Sequence, residues 1–328
     1  MSFSTNEWST LKEVIVGTAT GAKVPHIDKS VRTVNYADQK DIDLIQSGPY
    51  PSQVIEEANE DLETLKDFLQ KQGVKVHRPV LEKDPEYYNY CPRDNVLVVK
   101  DKIIECPLPI RARKSEHKNL RPVFHKLGLH TFELIAERTD LSYNELCISS
   151  KDVLALTEVE PLFDAANILR DDENIYYLVS NTGNKLGAKH LQRVLGDSYT
   201  VWPIEGIYSY IHIDSTIALL RKGLMLLNPE RVKSISQLPK PLQDWEPIWC
   251  PEPVEIPYYG NYNHASKWVN MNLFSINENL VVLEQHQTNL ADVLRKYGIE
   301  SALLPFRHQR TLGGGPHCVT LDIYRDNK

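Results

Sequence analysis

Four stretches of the chain repeat one order of polar and hydrophobic positions. They begin at Asp94 (DNVLVVKDKIIEC), Asp164 (DAANILRDDENIYYLV), Asp214 (DSTIALLRKGLMLLN) and Asn272 (NLFSINENLVVLE). Each opens on a short polar residue and continues as an apolar run. It turns at charged, Asn or Gly residues and returns as a second apolar run. Two short apolar runs around a polar turn predict a β-hairpin. A second pattern recurs between them. EEANEDLETLKDFLQKQGVKVHRPV carries apolar positions at helical spacing, a stop at Gly73 and then a short strand. RPVFHKLGLHTFEL, KHLQRVLGDSYTVWPI and NLADVLRKYGIESALLPF repeat it with stops at Gly128, Gly196 and Gly298. LPKPLQDWEPIWCPEP is an irregular copy.

The chain therefore alternates two strands, a helix and a strand about five times, with Cys318 as a fifth opening residue. The openings fall roughly 45 to 70 residues apart, a period that suggests an array or propeller rather than a Rossmann fold. An ordinary α/β protein with look-alike hairpins is the alternative. In the propeller, the five opening residues would ring one central channel. No linker or shift of composition divides residues 1–328, so a single domain is expected.

Composition narrows the function. Of 328 residues, 41% are apolar, enough for a sizeable core. The net charge is −7 and the longest basic run is IRARK, which argues against a nucleic-acid partner. No stretch approaches a membrane span. The N-terminal MSFSTNEWSTLKEVIVG lacks a basic segment followed by an apolar run, so a cytoplasmic protein is expected. Cys91, Cys106, Cys147, Cys250 and Cys318 show no CxxC spacing, which speaks against zinc fingers and disulfide frameworks.

Candidate chemistry sits at the hairpin openings. YIHIDST places His212 and Asp214 two residues apart, on one face if the segment is a strand. The pair offers a proton shuttle and a carboxylate, although a single histidine is more often structural. A His-x-Asp pair is also a metal signature, but further ligands are hard to nominate, so no metal is expected. Asp164 lies among Phe163, Ala165 and Ala166; a buried carboxylate there needs a partner, and a histidine is a natural one. Asp94, Arg231, Ser266 and Asn272 are unspecific individually. GGGPHC is the most distinctive piece: glycines allow close backbone approach beside the Cys318 thiol.

Taken together, these motifs resemble the amidinotransferases of the arginine:glycine amidinotransferase family, in the guanidine-modifying (pentein) superfamily. PRDNVLVVKDKIIECPLPIRAR, TEVEPLFDAANILR, HIDST, LLNPER, SKWVNMN and LGGGPHCVTLDIYR carry the resemblance, in that order, over nearly the whole chain. It implies a five-bladed α/β propeller of ββαβ modules with pseudo-fivefold symmetry. It implies Cys318 as nucleophile, His212 as proton carrier and Asp164 as the partner of that histidine. Asp94 and Asp214 would hold the donor's cationic groups. Arg231 and the Ala265–Ser266 stretch would hold its carboxylate. The reaction implied moves the amidino group of L-arginine to an amine through an amidino-cysteine, releasing L-ornithine. No cofactor is implied. The small-molecule substrates would be arginine and an amine, and the assembly a homodimer, in a bacterial type of secondary metabolism.

The chain departs from the family pattern in three places. Asn167 stands where FDAAD has its last aspartate, and Ala265 where SSKW has its first serine. The run before the histidine, Ser209, Tyr210 and Ile211, is expected to reshape the acceptor side, which puts glycine as acceptor in doubt. Two other readings compete. A deiminase-type hydrolase of arginine or agmatine would use the same Cys/His/Asp set with water as acceptor. A non-catalytic binding protein would not need a complete set of reacting groups.

Overall fold

The computed structural model describes residues 4–37, 45–81, 85–148, 153–262 and 264–326. Five three-stranded modules make up the molecule, each with one antiparallel and one parallel strand pair. Four come from the four repeated stretches. Their hairpins are Val96–Val99 with Lys102–Glu105, Ile168–Asp171 with Asn174–Leu178, Ile217–Arg221 with Leu224–Leu227, and Phe274–Asn277 with Leu280–Glu284. Three hairpin turns hold a residue at positive φ: Lys100, Asp172 and Gly223. This backbone twist matches that of paired strands.

The third strand of each module returns parallel after a crossover. Helices Ser52–Lys71, Arg121–Lys126, Lys185–Leu195 and Thr288–Arg295 form four crossovers. Each is followed by a glycine at positive φ, at Gly73, Gly128, Gly196 and Gly298. A side chain there would strain the left-handed turn that ends the helix. In Ser52–Lys71, Val54, Ala58, Leu62, Leu65 and Leu69 form a fully buried stripe. The irregular copy has no α-helix. Pro239 and Pro241 reduce it to two 3₁₀ turns, Ile235–Gln237 and Lys240–Leu242, before the strand Glu246–Trp249.

The fifth module joins the two ends of the chain. Thr320–Asp326, which follows Cys318, pairs antiparallel with Thr10–Val16, and Lys75–His77 pairs parallel on the other side. The partner strand for the last opening residue is therefore some 300 residues away, and the ring closes non-covalently. The architecture is a five-bladed α/β propeller, as the repeat predicts.

Each module opens through a tight turn at the axis. Pro92–Asp94, Ala165–Asn167, Ile213–Ser215 and Lys267–Met271 are 3₁₀ turns that pack beside one another in that order, and Thr320–Asp326 closes the circle against Pro92–Asp94. Beneath them the axis is filled with charge. Arg93, Arg170 and Arg325 meet Glu7 and Asp322, all buried. Arg170 also donates to the carbonyl of Val98 and Arg325 to that of Ser275, so the guanidinium forks tie neighbouring modules together. Among the described residues, no helix is long and apolar enough to cross a membrane.

Candidate active site

The five opening residues gather at one end of the axis, where Asp214 and Cys318 line a cavity of about 1030 Å³. His212 and Asp214 both line it, but not as strand neighbours. His212 is the N-cap of the turn Ile213–Ser215, and the turn brings both side chains to the cavity while Ile213 is buried. The His212 ring donates from Nε2 to Asp164 Oδ2 at 2.8 Å, and its Nδ1 lies 3.7 Å from Asp94 Oδ1. Burial pulls the His212 pKa down. The charge of Asp94, the Asp164 hydrogen bond and the charges of Asp164 and Asp214 overcome this and raise it to about 9. At neutral pH the ring is an imidazolium, with a proton to give.

Cys318 sits across the same cavity. Its Sγ lies 3.3 Å from Asp214 Oδ2 and accepts from Asn272 Nδ2 at 3.3 Å. Asn272 Oδ1 accepts the backbone N–H groups of His317 and Cys318, at 2.8 and 3.2 Å. The neighbouring Cys91 thiol, burial and the charge of Asp214 hold Cys318 well above the usual thiol range. Without a ligand it is therefore a thiol, and ionising it needs a cation beside the sulfur. For Asp214, burial opposes ionisation, but hydrogen bonding from His317 and the charges of His317 and His212 bring its carboxyl below the usual range.

Asp94 and Asp164 stand behind His212 rather than on the cavity lining. Asp94 Oδ2 accepts from Arg113 Nη1 at 2.7 Å, whereas Oδ1 is buried without a hydrogen bond. Burial raises the Asp94 carboxyl above its usual range, against the pull of His212 and Arg113. Arg113 was not among the expected site residues. It is buried, pairs with Glu116 as well as Asp94, and lies over the Tyr88 ring at 5.1 Å. Its i,i+3 spacing from Glu116 was the available signal, hidden inside the run IRARK.

Arg231 lies at another part of the cavity wall. Its Nη1 donates to Ser215 O, Ser215 Oγ and Thr216 Oγ1, each at 2.8 Å, and its guanidinium stacks 3.5 Å over the Tyr208 ring. No carboxylate pairs with it among the described residues, and burial lowers its pKa. A half-buried cation without an anion invites an anionic ligand group. Ser266 lines this wall. Ala265 does too, but its N–H is already given to Arg310 O at 3.0 Å, so the expectation that it serves a ligand carboxylate fails. Ser209, Tyr210 and Ile211 line the cavity, and Tyr210 packs on Tyr208 with ring centroids 5.8 Å apart. The stretch thus adjoins the Arg231 wall.

The glycines of GGGPHC are packed against protein side chains rather than open space beside the sulfur. A Cβ at Gly313 would come within 2.9 Å of His264 Nδ1, one at Gly314 would overlap the Cys91 sulfur, and one at Gly315 would come within 2.8 Å of Asn272 Oδ1. Protein side chains fill all three spaces. His317 and Cys318 lie in a turn rather than a strand, so neighbouring side chains need not point to opposite sides, and both reach Asp214 Oδ2. Asn167 is fully buried among Ser180 and Thr182, away from the cavity, so losing the family's aspartate leaves a neutral hydrogen-bonded cluster.

One group of described residues has metal-ligand chemistry, Glu105, His117 and Glu133. Arg121 donates to both of its carboxylates and supplies the positive charge there.

No family model matches the chain. An inosamine-phosphate amidinotransferase of Streptomyces griseus is 44% identical, over 98% of this chain and 96% of its own. An L-arginine:L-lysine amidinotransferase of Pseudomonas savastanoi pv. phaseolicola is 33% identical, over 99% and 94%. A solved inosamine-phosphate amidinotransferase of Streptomyces griseus superimposes with a TM-score of 0.94 at 41% identity, covering 100% of this chain and 98% of that one. A propeller whose axis gathers Cys318, His212, Asp164 and Asp214, in a chain this similar to such relatives over its whole length, belongs to the amidinotransferase family and is an amidino-group transferase.

Proposed function

We propose that the chain transfers the amidino group of L-arginine to an amine through a covalent amidino-Cys318. The observation that carries this reading is the single cavity on which the Cys318 thiol, the His212–Asp164 pair and the unpaired Arg231 all converge.

The donor carboxylate pairs with Arg231 and the hydroxyl of Ser266. The guanidinium lies against Asp214, whose carboxylate matches its fork, while Asp94 stands behind His212 and acts on the site through the charge it places beside that ring. Its positive charge offsets Asp214, and the Cys318 thiol releases its proton to water as the donor binds. The thiolate attacks the guanidinium carbon. His212 gives its proton to the departing nitrogen, the carbon–nitrogen bond breaks and ornithine leaves. The amidino group remains on sulfur. The acceptor amine enters, neutral His212 takes its proton, and the amine attacks the amidino carbon. The carbon–sulfur bond breaks and the thiolate returns. The kinetics are ping-pong.

We assign a phosphorylated aminocyclitol as acceptor, by analogy with relatives named for inosamine phosphates at 42% and 44% identity. The cavity supports a bulky acceptor: about 1030 Å³ exceeds what arginine fills, and Tyr36, Tyr87 and Tyr88 line part of it. A homodimer, tested by light scattering, and a cytoplasmic setting belong to the same reading and rest on the resemblance.

Two measurements test the proposal. Incubation with arginine alone adds one amidino group to a peptide containing Cys318, and Cys318→Ala abolishes both adduct and turnover. An adduct on another cysteine would refute the assignment. An amine panel with arginine, read by mass, then identifies the acceptor. Citrulline and ammonia formed without any amine would establish the hydrolase instead.

A further inference from the structure

His317 is the second histidine at the site, and the transfer mechanism does not use it. It lies in the turn between Gly315 and Thr320, next to Cys318 in sequence and buried against the Phe274 ring. Its Nδ1 lies 3.0 Å from Asp214 Oδ2, and its Nε2 lies 3.6 Å from Glu7 Oε2. The imidazole thus spans the gap between the donor-side carboxylate and the charged plug on the axis.

The plug has a definite charge balance. Glu7 accepts from Arg170 Nε and Nη2 at 2.8 Å each and from Arg170 N at 3.0 Å. Asp322 accepts from Arg93, Arg170 and Arg325. Three guanidinium groups therefore face two carboxylates, an excess of one positive charge across His317 from Asp214. Such groups cannot shift freely, because each buried charge depends on its partners. Glu7 is a rigid post, and His317 connects that post to Asp214.

We propose that His317, braced by Glu7, is a positioning residue for donor binding: it fixes the rotation of the Asp214 carboxylate. Oδ2 is occupied by His317 and the Cys318 thiol, which leaves Oδ1 to meet the guanidinium. This inference rests on the reading that Asp214 holds the donor. A histidine suits the task because its two nitrogens lie on opposite edges of a flat ring. Asparagine could donate to Asp214 but would not also reach Glu7. The N-terminal segment, through Glu7, thereby acts on Asp214, 207 positions later.

The test separates KM for arginine from the other constants. His317→Phe keeps the ring packed on Phe274 and removes both nitrogens. It is expected to raise KM for arginine roughly tenfold or more, the value of a hydrogen bond to a charged group. It is expected to leave KM for the acceptor, and the adduct stoichiometry on Cys318, near wild type. His317→Asn restores part of the arginine KM, and Glu7→Gln raises it by a smaller factor while keeping contacts to Arg170. An unchanged arginine KM in these variants overturns the proposal, as does a loss confined to adduct stoichiometry, which marks a structural role. If His317→Phe does not fold, His317→Asn and Glu7→Gln decide in the same way. Asp214→Asn separates this inference from its premise. An arginine KM unmoved by that change refutes Asp214 as the donor's holder. A KM raised by Asp214→Asn but not by the His317 variants refutes the positioning role alone.

Discussion

Asn272 holds Cys318 by two hydrogen bonds and its neighbour His317 by a third: its Nδ2 donates to Sγ at 3.3 Å, while its Oδ1 accepts the N–H groups of His317 and Cys318. The side chain both places the nucleophile and offers its sulfur a hydrogen bond that strengthens as the thiolate forms. Asn272→Asp keeps the acceptor for the two N–H groups but replaces the donor with a negative oxygen. We expect amidino-adduct formation to slow roughly 100-fold, on the scale of losing an oxyanion donor. Single-turnover mass spectrometry with arginine reads this directly. A wild-type rate in Asn272→Asp would remove the residue from the account.

Asp164 holds the His212 imidazolium, and the pH dependence follows. The His212 pKa is raised to about 9 in the folded protein, from an ordinary value of 6.5. A group raised on folding stabilises the native state fully below its unfolded pKa, and that stabilisation is lost as pH climbs through the folded value. Stability contributed by His212, about 3 kcal/mol, should therefore fall away between roughly pH 6.5 and 9. Asp164→Asn should flatten this slope in urea melts. It should also move the alkaline limb of adduct formation to lower pH, with the rate down about 100-fold at neutrality. An alkaline limb that stays in place would exclude His212 as the proton donor.

Arg231 predicts how the enzyme separates donors. Agmatine carries the guanidinium of arginine without the carboxylate. The wild type should use it far less well, because the half-buried Arg231 is then left without an anion. Arg231→Gln should raise KM for arginine roughly 10- to 100-fold and leave agmatine nearly unaffected, so that the preference collapses. Steady-state kinetics with both donors checks it. A preserved preference would place the carboxylate elsewhere.

Gly314, the middle glycine of GGGPHC, tests packing rather than chemistry. A Cβ on Gly314 would overlap Cys91 Sγ and also lie 3.1 Å from Cys318 Cβ. Gly314→Ala should destabilise the fold by about 1–3 kcal/mol, as overpacking does. Adding Cys91→Ala removes the sulfur and should recover part of that loss in thermal melts. The recovery is incomplete, because the Cys318 contact remains. Equal stability of single and double variants would show that Cys91 is not the obstacle.

Much of this molecule is legible before any coordinates. The ββαβ rhythm is local: alternating runs, turn residues and glycine stops act within a dozen neighbours, so four hairpins and four helix stops stand where the sequence predicts them. The polar residues that open each module mark the axis because that is where every module turns inward. His212 and Asp214 were paired correctly but for the wrong reason, since a 3₁₀ turn and not a strand brings them together. Arg113 was overlooked because a buried arginine is recognisable only once its partners, Asp94 and Glu116, are seen to be buried with it.

The sequence by itself determined the repeated unit, the five opening residues and, through its motifs, the family. The tertiary structure alone decided what those residues touch. Closure of the ring pairs the strand after Cys318 with the strand after Trp8, a contact that no local pattern encodes. Closure also brings Glu7 to His317, His317 to Asp214 and Asn272 to Cys318. Hydrophobic periodicity reports burial of one element at a time. Hydrogen bonds and ion pairs are satisfied between elements, at distances near 3 Å, and so are fixed only when all five modules stand around one axis.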